Sequence, residues 1–251
     1  MTRIIVSGCF GRLGADICRA AAEMKIAAGV DAMPGTAEFP VYTSIKNCTE
    51  EADAVICALR PTDDAELLAT AEYCEKNRVA LVFCTTGQSA EVNAAIENAA
   101  KQTAVLRSGN MSLGINLLSG LLAKISPLLH ESGFDIEITE KHHNQKIDAP
   151  SGTAHLLADS INDSLGGKMR RVYDRSTVHA KRDRDEIGIH ALRGGTIVGE
   201  HTVTFAGHNE IIEFKHIAQS REVFAVGAIQ AAKFLQGKPP GLYSMRDVTE
   251  G

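Results

Sequence analysis

Arg3-Ile4-Ile5-Val6-Ser7-Gly8-Cys9-Phe10-Gly11-Arg12-Leu13-Gly14 opens the chain with a β-branched run, then glycines at every third position, then apolar residues at helical intervals, Leu13, Ile17, Ala21 and Met24. The reading is strand, tight turn, helix. Glycines there let backbone amides approach a pyrophosphate at the positive end of the helix. The pattern is G-x-x-G-x-x-G, not the stricter G-x-G-x-x-G, so its weight comes from its place between a strand and a helix. About 20 residues on, at the end of a second apolar run (27–31), stands Asp31. A carboxylate there takes ribose hydroxyls and repels a 2′-phosphate. Ala32, Met33 and Pro34 supply no cation for that phosphate, whereas Arg12 beside the loop partly could. The expectation is a nicotinamide dinucleotide, with NADH preferred to NADPH by a modest factor and NADPH as the second choice.

Outward from this stretch, apolar runs at 54–59, 80–84 and 104–107 alternate with alanine-rich helical patterns at 63–77 and 90–101. Such alternation predicts an α/β, Rossmann-like, doubly wound parallel sheet covered on both faces. The pattern then changes. A long helical segment (112–132), a strand (134–140), a helix (150–165) ended by Gly166-Gly167, and strands at 187–193, 201–206 and 211–217 predict an inserted α+β domain with a mostly antiparallel or mixed sheet. A last helix (223–235) packs most economically on the first sheet. The expected division is 1–112, 113–221, and 222–251 returning to the dinucleotide-binding domain.

Composition excludes several classes. Charged residues at 23% and hydrophobic ones at 44% are globular values and rule out a disordered chain. A net charge of -5 argues against a nucleic-acid binder. No apolar run approaches the roughly 18 residues of a membrane span, and the first residues lack a signal peptide's apolar stretch, so a soluble, cytoplasmic protein is expected. The cysteines, Cys9, Cys18, Cys48, Cys57, Cys74 and Cys84, include no C-x-x-C pair and read as small buried apolar residues. All histidines lie at or after His130.

The densest chemistry is Glu140-Lys141-His142-His143-Asn144-Gln145-Lys146-Ile147-Asp148-Ala149-Pro150-Ser151-Gly152-Thr153, running from a strand into a helix. Adjacent histidines point apart and no carboxylate stands at matching spacing, so no metal is expected. Imidazoles, an ammonium and a helix start could instead clamp an anion while one group supplies a proton. Cys84-Thr85-Thr86-Gly87 and Ser108-Gly109-Asn110-Met111-Ser112 end two parallel strands, where open sheets bind ligands. His201 and His216 alternate with apolar neighbours and read as sheet histidines. The basic run Lys168, Arg170, Arg171, Arg175, Lys181, Arg182 and Arg184 reads as a solvated loop, with attraction of an anionic substrate the lesser alternative.

The segment EKHHNQKIDAPSGTA (140–154) resembles the signature of the 4-hydroxy-tetrahydrodipicolinate reductases, which serve bacterial diaminopimelate and lysine biosynthesis. GCFGRLG is similar to the family's G-x-x-G-R-x-G, CTTG to its G-T-T-G, and SGNMSLGIN to its S-x-N-x-S-x-G-x-N; RGGTIVGEH and FAVGAIQAAKFL add to the likeness. The resemblance implies NAD(P)H-dependent reduction of a cyclic dicarboxylate. It implies catalytic roles for His142 and Lys146, the latter as proton donor, and substrate contacts from His143, Lys146, Ser151, Gly152 and Thr153. Cofactor contacts would come from Gly8, Phe10, Gly11, Arg12, Leu13, Gly14, Asp31, Thr85, Thr86, Gly87, Ser108, Asn110 and Met111. A homotetramer built through the second domain's sheet is implied as well. Two departures bear on the cofactor: Cys84 replaces the first glycine of G-T-T-G, and Cys57-Ala58-Leu59-Arg60-Pro61 replaces D-F-[ST]-x-P, placing Arg60 near the dinucleotide. The rival readings are another two-domain NAD(P)-dependent dehydrogenase of small carboxylates and a catalytically silent dinucleotide sensor.

Overall fold

From the amino end the chain forms β1 (Arg3–Ser7), α1 (Arg12–Ala20), β2 (Lys25–Val30), β3 (Val41–Tyr42), β4 (Ala54–Cys57), α2 (Asp64–Asn77), β5 (Ala80–Phe83), α3 (Ala90–Ala99) and β6 (Ala104–Arg107). It continues through α4 (Leu113–Glu131), β7 (Asp135–His142), α5 (Gly152–Ser164), β8 (Arg170–Val172), β9 (Glu186–Arg193), β10 (Gly199–Ala206) and β11 (Ile211–Ala218). It ends with α6 (Glu222–Phe234), β12 (Gly241–Tyr243) and α7 (Met245–Glu250). This is a computed structural model that describes residues 1–250 apart from Asp174, Thr177 and Val178. Two compact units result, Met1–Leu113 with Arg221–Gly251, and Gly114–Ser220.

The first unit is a seven-stranded sheet in the order β12-β6-β5-β4-β1-β2-β3, parallel at every pairing. Side chains alternate across it, and both faces are apolar. Ile4, Val6, Ile56, Val82 and Leu106 meet Ile17 of α1 and Ala225, Ala228 and Ile229 of α6 on one face. Ile5, Val55, Leu81, Phe83 and Val105 meet Leu67 of α2 and Val92 and Ile96 of α3 on the other. Each fully buried isoleucine or leucine contributes about 1.5–3 kcal/mol. The strand order reverses beside β1, which places a crevice at its carboxyl end, where open sheets bind ligands. The sequence suggested five strands here. The two additional ones, β3 and β12, are edge strands of two and three residues, too short to carry a period.

The second unit is a mixed five-stranded sheet, order β11-β10-β7-β9-β8, with β9 parallel to β7 and β8, and β10 antiparallel to both neighbours. One face carries Ile136, Ile138, Ile187, Ile189, Val203 and Phe205 against Leu157, Ala158 and Ile161 of α5 and Leu122 of α4. Farther along the same face the apolar residues give way to Glu140, His142 and His201, all buried.

Two expectations need correction. Helix α4 is 19 residues long and, by length and composition only, is long and apolar enough to cross a membrane. Polar residues such as Asn116, Lys124 and His130 break the run into short apolar pieces, while its leucines and isoleucines keep the helix apolar on average; Leu118, Leu122, Ile125 and Leu129 pack on the core of the second unit. The basic stretch, moreover, is not simply solvated. Arg170 and Arg175 pair with buried Glu186, Arg171 pairs with Asp159, and Arg184 donates to the His130 carbonyl at 2.7 Å. Arg182 uses all its N–H groups, on Glu137, Asp135 and the carbonyls of Asp183, Ile136 and Glu186, at 2.6–3.0 Å. The cysteines are free; Cys9, Cys57 and Cys74 are buried, whereas Cys18, Cys48 and Cys84 are only partly so.

Candidate active site

In the first unit the β1–α1 turn is shaped by close backbone approach. Gly8 lies at φ +84°, its N–H donates to the Val30 carbonyl at 2.7 Å, and a Cβ on it would stand 2.8 Å from the Ala58 carbonyl oxygen. A Cβ on Gly14 would stand 1.9 Å from the Gly8 carbonyl oxygen. The first turn of α1 therefore rests directly on the loop, with initial amides that no helix can satisfy internally. Asp31 borders this cradle. Its Oδ2 accepts from the Phe10 N–H and its Oδ1 from the Met33 N–H, both at 2.9 Å. Each oxygen keeps a second lone pair for a hydroxyl, so one carboxylate can brace the loop and read a ribose. A glycine cradle, a helix start and a carboxylate at the next strand end fit a dinucleotide.

The remaining cofactor candidates divide. Arg12 is exposed at the first position of α1, Thr86 is exposed, and Gly87 takes φ +80° with open space around it. The Thr85 hydroxyl is buried and donates to the Leu59 carbonyl at 2.7 Å, while the Cys84 N–H donates to the Cys57 carbonyl at 2.9 Å. The two segments that depart from the family pattern are thus bonded to each other. Burial pushes the Cys57 thiol up to about 12 and raises Cys84 as well, so both remain neutral and apolar. Ser108 donates to the Asn110 carbonyl at 2.9 Å, and the Ser112 N–H donates to Asn110 Oδ1 at 2.8 Å, making a self-bonded turn. Met111 is buried in the core, and Leu13, partly buried, packs against it. Arg60, 77% exposed, pairs with Asp63 at 3.1 Å.

In the second unit β7 runs two residues beyond its expected end. His142 is therefore a strand residue on the same buried face as Glu140, and His143 turns the other way, half-buried. The following loop is tied down: Gly194 N–H to the His142 carbonyl at 2.9 Å, Asn144 N–H to the Gly195 carbonyl at 3.2 Å, and Arg193 to the Asp148 carbonyl at 2.6 Å. Lys146 extends its ammonium to Asp148 at 2.9 Å, which holds that carboxyl below its ordinary range. Ser151 caps α5, its Oγ accepting from the Ala154 N–H at 3.2 Å. Gly152 is exposed, with open space where a side chain would be. The loop that carries His143 and Lys146 is thus tied to β9 and the turn after it, and it runs through Asp148 into the Ser151 cap of α5.

Sequence reasoning gave no role to the residues behind this loop. Glu140 is wholly buried and accepts from His142 Nδ1 at 2.6 Å and from both Nη atoms of Arg193 at 2.8 Å. Burial opposes its ionisation, but the bonds from Arg193 and His142 prevail and hold its carboxyl below the usual range. His142 is lowered by burial, with Lys146 and Arg193 adding to the effect and Glu140 opposing it. His201, a strand histidine, sets its Nε2 3.1 Å from Ser151 Oγ and its ring 5.2 Å from that of His142; burial pushes it down to about 4. The available signal was period two: Glu140 and His142 share a face if the strand is extended by two residues.

Comparison with known proteins covers nearly the whole chain. Residues 2–111 match the family model described as dihydrodipicolinate reductase, N-terminus, and residues 114–249 the one described as dihydrodipicolinate reductase, C-terminus. The 4-hydroxy-tetrahydrodipicolinate reductase of Clostridium tetani is 47% identical over 249 residues, 98% of this chain and 96% of that protein. That of Caldanaerobacter subterraneus subsp. tengcongensis is 48% identical over 253 residues, 100% and 99%. A dipicolinate-bound dihydrodipicolinate reductase from Paenisporosarcina sp. TG-14 shares the fold, with TM-score 0.79, 21% identity and 97% coverage of each chain. An amine dehydrogenase from Mycobacterium smegmatis superposes with TM-score 0.64 at 11% identity over 98% of this chain and 95% of that one, so the fold also serves other dehydrogenases.

Proposed function

The chain belongs to the dihydrodipicolinate reductase family, and from that premise we propose how its own residues perform the family's reaction. It is an oxidoreductase of diaminopimelate and lysine biosynthesis that reduces 4-hydroxy-tetrahydrodipicolinate with a nicotinamide dinucleotide. The reaction takes up a hydride and a proton and loses water. A bound nicotinamide supplies the hydride.

Gly8, Gly11 and Gly14 with the start of α1 hold the pyrophosphate, and Asp31 takes the ribose; NADH is preferred because a 2′-phosphate would meet the Asp31 carboxylate. Arg12 moderates that preference. The start of α5, through Ser151, Gly152 and Thr153, binds one substrate carboxylate together with His143. Lys146 contacts the substrate and donates the proton from Nζ. His142, held below its ordinary range and therefore neutral near pH 7, acts from its Nε2 as a hydrogen-bond acceptor or base beside it. The observation that supports this reading is the tied-down loop on which the Lys146 ammonium pairs with Asp148 at 2.9 Å, three residues before the Ser151 cap of α5. A relative with dipicolinate bound supports a cyclic dicarboxylate as the substrate class. The outward face of the second sheet is the surface through which a homotetramer would assemble, and the cytoplasm is the expected compartment.

The test is a coupled assay in which the cyclic substrate is made freshly from pyruvate and aspartate semialdehyde and offered with NADH and with NADPH. Substrate-dependent oxidation, faster with NADH, is expected. No oxidation with either cofactor would favour the dinucleotide sensor, and oxidation only with other carboxylates would favour a different dehydrogenase.

A further inference from the structure

We propose that Glu140 is a positioning residue that locks His142 in its Nδ1–H tautomer and ties that ring to the start of α5; this rests on the reading of His142 and α5 as the reduction site. Glu140 is fully buried, and its two oxygens receive four hydrogen bonds. Oε1 accepts from the Ser151 N–H at 3.0 Å and from Arg193 Nη2 at 2.8 Å, and Oε2 accepts from Arg193 Nη1 at 2.8 Å and from His142 Nδ1 at 2.6 Å. An ionised carboxylate only accepts, so the imidazole proton must sit on Nδ1. Nε2 is then the atom left for chemistry. It points toward Gly199, where a Cβ would stand 3.1 Å away, so the missing side chain keeps space at that nitrogen.

A purely structural role does not account for a carboxylate here. Ile136 and Ile138 occupy the equivalent face four and two residues earlier in β7, where apolar side chains fill the core. Burying a carboxylate with a guanidinium carries a large desolvation cost, and apolar residues of similar volume commonly serve stability as well or better. What a carboxylate adds is direction. It aligns the Arg193 fork, the Ser151 amide and the imidazole at once, and Arg193 reaches on to the Asp148 carbonyl beside Lys146. His201, edge-on to His142 and bonded to Ser151 Oγ, closes the ring of contacts.

Glu140→Gln separates direction from volume. At either position the amide nitrogen meets one Arg193 N–H, so the other partner decides: at the Oε1 position it is the Ser151 N–H, a donor that cannot change. At the Oε2 position it is His142 Nδ1, which can change by moving its proton to Nε2. The second arrangement is therefore favoured, and it blocks Nε2 with a proton, as a carboxylate-to-amide change behind a catalytic histidine does in serine proteases.

The experiment is two-dimensional 15N–1H NMR of the histidine side chains in the full-length protein above pH 7, with His142 assigned by its loss in His142→Gln, alongside steady-state kinetics. The parent is expected to carry its proton on Nδ1, and Glu140→Gln on Nε2. Its kcat should fall by about 10²-fold or more while KM stays within about threefold. A parent with the proton on Nε2, or a folded Glu140→Gln with the parental tautomer or kcat, would overturn the proposal. Should the variant not fold, the parent spectrum decides. A parent that displays the Nδ1–H tautomer yet fails to reduce the cyclic substrate would instead refute the reaction assigned above, so the two failures are distinguishable.

Discussion

At His201 the fold works against a proton. The ring is 3% exposed, its Nδ1 is buried with no acceptor among the described residues, and its Nε2 faces the Ser151 hydroxyl. The charged groups around it are His142 and Glu140 on β7, His216 on β11 and Lys146 on the loop; burial, helped by His142, His216 and Lys146, outweighs Glu140. The native pKa is about 4 against an ordinary 6.5. Between those values the unfolded chain binds a proton that the native chain refuses. Stability must therefore fall as pH drops through 6.5, with the loss complete near 4. At about 1.36 kcal/mol per pH unit the full loss is about 3 kcal/mol, of which about 2 kcal/mol has gone by pH 5. His130, His142 and His216 are also pushed down by burial and add to the slope, so the informative quantity is the difference from His201→Gln. Urea unfolding followed by far-UV circular dichroism, together with amide exchange in β10, should show the parent losing about 2 kcal/mol more than the variant between pH 7.5 and 5. That corresponds to roughly 1 M in the urea midpoint. Parallel losses within about 0.5 kcal/mol, or a His201 ring proton titrating near its ordinary value, would refute the reasoning.

Lys146→Ala should lower kcat by about 10²–10⁴-fold with NADH affinity unchanged, since the cofactor residues lie in the other unit; activity within about twofold of the parent would remove Lys146 from the chemistry. His142→Gln should impair turnover far more than His179→Gln, an exposed position, and equal small effects would return His142 to a packing role. Asp31→Ser should shift the kcat/KM ratio toward NADPH by about 5–30-fold, about 1–2 kcal/mol, measured with both cofactors; an unmoved ratio counts against the ribose assignment. Gly14→Ala sets a methyl group 1.9 Å from the Gly8 carbonyl oxygen, so the loop must move. A loss of about 1–3 kcal/mol in stability and at least about tenfold in dinucleotide affinity is expected, and unchanged binding by titration would contradict the packing described.

What could be read in advance followed from steric or chemical rarity. Gly8 and Gly14 are legible because almost nothing else fits where backbone meets backbone. The 140–153 segment is legible because imidazoles, an ammonium and a helix start rarely stand so close together. Edge strands β3 and β12 were not, because two or three residues cannot display a period. The arginines of 168–184 were misjudged because a sequence shows charges without their partners: Glu137 and Asp135, which hold Arg182, stand 45 and 47 residues away. Glu140 was visible as a letter and invisible as a device, because ending the strand at 140 leaves no reason to set its side chain beside that of His142.

The first sheet is finished by residues from the far end of the chain. Ala225, Ala228 and Ile229 of α6 cover Ile4, Val6, Ile56 and Val82, and β12 pairs with β6 along one edge. During synthesis, the first 113 residues therefore emerge with an apolar sheet face and an open strand edge, and wait while the second unit is made. At about 5–20 residues per second that interval lasts on the order of 5–20 s. The second unit, contiguous in sequence, can fold in that time, whereas the dinucleotide half cannot close its core until the last helix leaves the ribosome. A nascent chain stalled before Glu222 would thus display the surfaces that chaperones and aggregation both seek.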